Sequence, residues 1–163
     1  DGCGGVLSAL VLSVPGAGKT TFLRDAARLL SEGVGGERGR KVCIADERSE
    51  LAGAERACFD LGARTDVTDG CPKAEAMRAL IRSMSPEVLI TDEIGGDTDA
   101  EAVLYAASSG IAVIASAHAR DESEAMRKPY LAALMRSGAF AKLIVLKRGA
   151  DGFHARVTGA IQI

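Results

Sequence analysis

Tryptophan is absent from the 163 residues, and only four phenylalanines and two tyrosines accompany the aliphatic side chains. A core must therefore be filled by Ala, Val, Leu and Ile, which suits a parallel sheet covered by Ala-rich helices. The two histidines lie far along the chain from Cys3, Cys43, Cys58 and Cys71, and those cysteines form no C-x-x-C pair. Neither zinc-site spacing nor a dithiol redox motif is present, so reduced, mostly buried thiols are expected, as in a cytoplasmic protein. Basic excess is missing too, because 20 Lys and Arg against 22 Asp and Glu leave a net charge of -2. Broad nucleic-acid binding needs a basic face or stripe, so only a local patch could support it here. No apolar run approaches the ~20 residues of a membrane-spanning helix, and no signal peptide is visible. Nor does methionine begin the chain, and Asp1 stands a few residues before the first apolar segment. The expectation is one domain spanning residues 1–163, with an upstream domain missing from the fragment.

Glycine, by contrast, is plentiful at 19 residues, and two glycines occupy an informative place. Ser13-Val14-Pro15-Gly16-Ala17-Gly18-Lys19-Thr20-Thr21 follows an apolar strand-like segment and precedes a helix-patterned one. A glycine-rich bend between strand and helix turns backbone N–H groups inward, and the helix adds the positive end of its dipole. That arrangement holds a triphosphate, with Pro15, Gly16, Ala17, Gly18, Lys19, Thr20 and Thr21 as its cradle. Lys19 reaches the β- and γ-phosphates, and the Thr20 hydroxyl can ligate Mg²⁺. Ser13 replaces the first glycine of the G-x-x-x-x-G-K-S/T pattern, at a strand end where a small side chain suffices.

Periodicity extends the pattern along the chain. Residues 6–13 read as a buried strand, 20–30 as a helix and 41–45 as a second strand ending at Asp46 and Glu47. A weak helix is expected over 49–58, then an irregular segment containing Arg64-Thr65-Asp66-Val67. Pro72 stands at a helix start, and Ala74, Met77, Leu80, Ile81 and Met84 recur at helical spacing until Pro86. Residues 88–91 form a buried strand. Thr98-Asp99-Ala100-Glu101 has the form of a capping box, and Gly110 closes the helix it opens. A strand over 111–115, short helices over 122–127 and 130–137, and a hairpin of 141–147 with 153–161 turning at Asp151-Gly152 complete the chain.

Val88-Leu89-Ile90-Thr91-Asp92-Glu93 supplies a second signal, an apolar strand ending in adjacent carboxylates. In this Walker B reading, Asp92 holds Mg²⁺ and Glu93 orients and polarises the attacking water. The plainer alternative is a helix N-cap followed by a solvated acid. The paired acids place the chain among P-loop ATPases that hydrolyse with a glutamate. The fold expected is therefore a three-layer α/β P-loop NTPase of RecA-like or AAA type. Its central sheet is mostly parallel, and the chain ends in a C-terminal β-hairpin. The 111–115 strand would be inserted between the phosphate-loop strand and the Walker B strand, bringing Ser116 or His118 near the γ-phosphate. A capping or merely exposed histidine remains the alternative for His118.

Arg78-Ala79-Leu80-Ile81-Arg82-Ser83-Met84-Ser85-Pro86-Glu87, running into the Walker B segment through Ile94, resembles the corresponding region of type II secretion and type IV pilus ATPases. Ala115-Ser116-Ala117-His118 is placed like their histidine box. Three blocks resemble the ATPase domain of the stage III sporulation protein AA family more closely. They are Asp46-Glu47-Arg48-Ser49-Glu50, Arg64-Thr65-Asp66-Val67-Thr68-Asp69-Gly70-Cys71-Pro72-Lys73-Ala74-Glu75 and Asp92-Glu93-Ile94-Gly95. The resemblance spans most of the chain and implies an endospore-forming bacterium. It implies a mother-cell ATPase, peripheral to the membrane, that energises or assembles a sporulation channel complex, and a homo-oligomer built as a six-membered ring.

By the resemblance to the secretion ATPases, Glu47 corresponds to an acidic box facing the nucleotide, with a solvated strand-end acid as its alternative. Asp92 stands where the secretion enzymes commonly carry Gly, and Gly95-Gly96-Asp97 replaces their Arg-Asp. Gly96 also stands where the sporulation proteins usually carry a basic residue. An arginine finger from a neighbouring subunit contributes about 10³ to 10⁵ in rate at such sites, and Arg48 and Arg64 are the candidates, each also readable as a surface arginine. Because the secretion family draws some of these arginines from an N-terminal domain, the isolated chain is expected to bind ATP with Mg²⁺ but turn it over slowly. The competing readings are a nucleotide-gated assembly module with little turnover and a RecA-like nucleic-acid-dependent ATPase. A small-molecule kinase is weaker, since no lid-like Arg-rich segment stands out. No base-specific pattern separates ATP from GTP.

Overall fold

Seven strands form one sheet in the computed structural model of the chain, which describes residues 5–53, 59–149 and 152–159. β1 (Ala9–Ser13), β2 (Val42–Asp46), β3 (Thr65–Asp69), β4 (Val88–Thr91), β5 (Ala112–His118), β6 (Lys142–Gly149) and β7 (Gly152–Gly159) take the order β3-β2-β4-β5-β1-β6-β7. All neighbours are parallel except the final β6–β7 pair. The helices are α1 (Lys19–Glu32), α2 (Lys73–Met84), α3 (Asp97–Ser108), α4 (Glu122–Met126) and α5 (Pro129–Arg136).

Strand alternation divides the core into two layers. Leu10, Leu12, Cys43, Leu89 and Val113 meet α2, α3 and α5 through Met77, Val103 and Leu134. Val11, Ile44, Ile90 and Ile114 turn the other way, toward Leu23 and Ala27 of α1. Burial of the Cys43 thiol raises its pKa to about 11, so it packs as a small apolar group. Cys43 and Cys71 are both free thiols, while Cys3 and Cys58 lie outside the described residues.

The three-layer α/β architecture, the strand inserted between β1 and β4, and the terminal hairpin are those expected. Several local expectations are corrected. β1 starts at Ala9 instead of residue 6, and just before it the Ser8 hydroxyl accepts from the Val113 N–H and its carbonyl from those of Ala141 and Lys142. No helix runs through 49–53, where Ser49 (φ 56) and Gly53 (φ 86) are left-handed; the rest of that expected helix, 54–58, lies outside the described residues. Residues 65–69 are a strand instead of an irregular segment. Thr65-Asp66-Val67-Thr68-Asp69 is an edge strand without a fully buried residue, so it carries no apolar signature. Thr98 does not cap α3, which begins earlier with Gly96 as its N-cap, and the Asp99 carboxylate instead accepts from the Gly95 N–H at 2.9 Å. In the hairpin Gly149 faces Gly152, and the expected turn residue Asp151 lies outside the described residues.

β5 also runs longer than expected, through Ser116, Ala117 and His118, because β1 pairs with it from Ile114 to His118. Ser13 is thereby register partner to His118. The carboxyl ends of β1, β4 and β5 lie side by side and carry the phosphate-loop sequence, Asp92 and Glu93, and His118.

Candidate functional site

Gly16 (φ 73) and Gly18 (φ 88) bend the chain between β1 and α1, a conformation that a β-carbon resists. Gly18 is the left-handed N-cap of α1, and no side chain caps that helix, leaving its first N–H groups directed at the loop. A cavity of about 500 Å³ opens there. Pro15, Gly16, Gly18, Lys19, Thr20 and Thr21 line it together with Asp92, Glu93, Ser116 and His118. Ala17 is buried and lines a second, adjoining cavity instead.

Lys19 donates to the Ser13 hydroxyl at 3.1 Å and to the Val14 carbonyl at 3.4 Å, and lies 3.0 Å from His118 Nδ1. Its pKa is lowered by burial, against the opposing charges of Glu93 and Glu50. The far ring nitrogen of His118 faces Glu93 Oε1 at 3.5 Å, and Arg48 reaches Glu93 Oε2 at 3.4 Å. Lys19, His118, Glu93 and Arg48 thus form one chain of contacts across the cavity.

Glu93 itself is left-handed (φ 30), a conformation that costs a residue with a β-carbon on the order of 1–3 kcal/mol. Its N–H donates to the Ser116 hydroxyl at 3.0 Å, and the next N–H, of Ile94, donates to the Ser116 carbonyl at 2.7 Å. Asp92 is 7% exposed; burial raises its pKa, Lys73 opposes that shift, and Asp46, Glu50 and Glu93 add to it. Glu47 is half-exposed and shares a pocket of about 100 Å³ with Arg48, Lys73, Asp92 and Glu93. Arg64 is not brought to this group. It precedes β3, at the opposite end of the parallel sheet, and its backbone N–H donates to Ser31.

Two residues of the site carried no assigned role in the sequence reading. Lys73 is 5% exposed and lies beneath Asp92 and Glu93; its signal was a lysine on the same helical stripe as Met77 and Ile81. Asp46 is fully buried and accepts the N–H groups of Glu50, Leu51 and Ala52 at 2.8–2.9 Å, which sets the loop bearing Arg48 and Glu50. Arg24 braces that loop from α1 through the Glu50 and Leu51 carbonyls and stacks 3.4 Å from the Phe59 ring centroid.

The residues present fit a Mg²⁺-triphosphate. The open space beside Gly16, where an added β-carbon would meet nothing within 4 Å, leaves the loop amides accessible. Among the described residues no three His, Cys, Asp or Glu side chains cluster into a metal cage. Mg²⁺ beside phosphates needs only one or two protein oxygens and water, and Thr20 and Asp92, which both line the cavity, offer them.

The profile described as "Sporulation stage III, protein AA" matches residues 3–161. Stage III sporulation protein AA of Bacillus subtilis (strain 168) is 46% identical over 144 residues, covering 87% of this chain and 47% of that protein. Among solved structures, the ATPase DotB of Legionella pneumophila superposes with a TM-score of 0.69 at 20% identity, covering 93% of this chain and 44% of that one. The VirB11 ATPase of the Brucella suis type IV secretion system, solved in complex with sulphate, gives 0.68 at 18% identity, covering 94% and 48%. These two likenesses are of fold. The chain spans less than half the length of each of the three proteins.

Proposed function

Because the chain belongs to the sporulation stage III, protein AA family, we propose that it is the Mg²⁺-dependent ATP-hydrolysing core of a secretion-type motor. Copies of it assemble as a ring and drive or build a membrane-embedded sporulation channel. The observation that carries the hydrolytic part is the contact chain from Lys19 through His118 to Glu93, across a cavity that Thr20 and Asp92 also line. No helix among the described residues is long and apolar enough to cross a membrane, so the membrane enters through partners in this reading.

On nucleotide binding, Lys19 exchanges Ser13, Val14 and His118 for phosphate oxygens, a stronger charge-assisted set of acceptors. Thr20 and Asp92 hold the metal. Bound there, Mg²⁺ neutralises charge on the phosphates. Glu93, released from Lys19's neighbourhood but still beside His118, orients a water toward the γ-phosphate. Arg48 stands at the cavity mouth, where it can answer to the nucleotide of its own or an adjacent copy. The second cavity, about 400 Å³ and lined by Thr21, Phe22, Leu146 and Phe153, continues from the loop and receives the base.

The Glu93→Gln variant tests this reading. Nucleotide affinity is retained and phosphate release falls by about 10²- to 10⁴-fold, the range for loss of a positioned proton acceptor. Release at the wild-type rate would sink the hydrolytic assignment and favour a nucleotide-gated assembly module.

A further inference from the structure

Lys73 has no step in that scheme, yet its side chain is only 6% exposed and its ammonium lies among three acidic residues, two of which, Asp92 and Glu93, the scheme uses. Nζ is 2.6 Å from the Glu93 carbonyl oxygen, 3.6 Å from Asp92 Oδ1 and 4.0 Å from Glu47 Oε2. Lysine is rarely buried, because its charge must be desolvated. On the stripe of α2 that carries Met77 and Ile81, an aliphatic side chain would serve packing better.

The shortest of the three contacts goes to backbone, and to the backbone of Glu93, a cavity residue with a β-carbon held in a left-handed conformation. Left-handed residues with a β-carbon persist where their surroundings over-determine them. Ser116 secures the amide side of Glu93 and the amide that follows it. Lys73 secures the carbonyl between them.

We propose that Lys73 is a positioning residue of the hydrolytic centre: its ammonium clamps the Glu93 carbonyl, keeps that residue left-handed, and so aims the Glu93 carboxylate into the phosphate cavity. Its contact with Asp92 ties the metal-side acid to the same point. Without the clamp the peptide after Glu93 relaxes, and the carboxylate leaves the line joining His118 to the nucleotide. This inference rests on Glu93 being the group that directs water.

The test compares the wild type, Lys73→Met, Glu93→Gln and the double variant. The affinity of a fluorescent Mg²⁺-ATP analogue and the rate of single-turnover phosphate release are read for each. Lys73→Met is expected to bind within about twofold of the wild type and to release phosphate on the order of 10- to 100-fold more slowly, the cost of a small misplacement. In the Glu93→Gln background the same change is expected to cost nothing more, because the group it positions is already disabled. A wild-type rate in Lys73→Met would overturn the proposal. So would an equal fractional loss in both backgrounds, as a lysine needed only for folding would give. If the Met variant does not fold, Lys73→Gln, which also removes the ammonium, is held to the same outcomes. A Glu93→Gln variant that releases phosphate normally would instead strike at the hydrolytic reading beneath it.

Discussion

Ser13 and His118 stand opposite one another at the ends of β1 and β5, and the Lys19 ammonium bridges their side chains at 3.1 and 3.0 Å. An ammonium only donates, so Nδ1 of His118 is the acceptor and the ring proton sits on Nε2, the atom facing Glu93. The serine that departs from the usual glycine thus gives Lys19 a partner that, on the proposed function, a bound phosphate displaces.

Removing that partner should favour nucleotide. Ser13→Ala is expected to tighten Mg²⁺-ATP binding by about two- to tenfold, the worth of one hydrogen bond released before binding. Isothermal titration of the two proteins decides it, and weaker binding by the variant would show that Ser13 holds the loop and not the lysine.

Asp92 sets a pH dependence. Its pKa is raised in the fold, mainly by burial, so the folded state holds that proton more tightly than the unfolded chain does. The stabilisation linked to this group is fully present below the ordinary carboxylate value and is lost as pH rises through the raised folded value. Asp92→Asn should therefore raise the melting temperature of the nucleotide-free protein at neutral pH. That gain should vanish below about pH 4, where the unfolded carboxylate is protonated too. Melting curves across pH check both halves, and a gain that persists in acid would contradict the assignment.

Phe153 reaches over the phosphate loop, with its ring 3.3 Å from where a β-carbon on Gly18 would lie. If the base rests against this ring, Phe153→Ala should weaken ATP binding by about 5- to 150-fold, the span measured for a lost base-aromatic stack. Inorganic tripolyphosphate, which has no base, should bind both proteins alike. Equal losses for the two ligands would mean that the ring supports the loop instead.

The buried Asp46 carboxylate satisfies three successive amides. Asp46→Ala leaves them without that acceptor and is expected to cost about 2–4 kcal/mol in urea unfolding. It should also loosen Arg48 and Glu50 at the cavity. A loss under about 0.5 kcal/mol, typical of an exposed position, would show that water or rearrangement replaces the carboxylate.

Short-range order was legible without coordinates. The phosphate loop, the β4 acids and the helix beginning after Pro72 each announce themselves through side-chain periodicity or backbone requirements confined to a few neighbouring residues. Their gathering at one end of a parallel sheet followed from strand-helix alternation. β3 was illegible, because an edge strand of Thr and Asp around a single exposed Val67 buries nothing fully and so leaves no apolar trace. Asp46 and Lys73 looked like ordinary polar residues, since what makes them unusual is burial, which depends on elements packed over them.

The sequence by itself determined that Lys19, Asp92 and Glu93 follow strand ends, for that is written in local pattern. Only the tertiary structure decided that Ser13 meets His118, that His118 joins Lys19 to Glu93, and that Lys73 lies under both acids. Those contacts span 99 residues between Lys19 and His118 and 20 between Lys73 and Glu93. They are set by strand register and by helix packing against the sheet, which no short window of sequence contains.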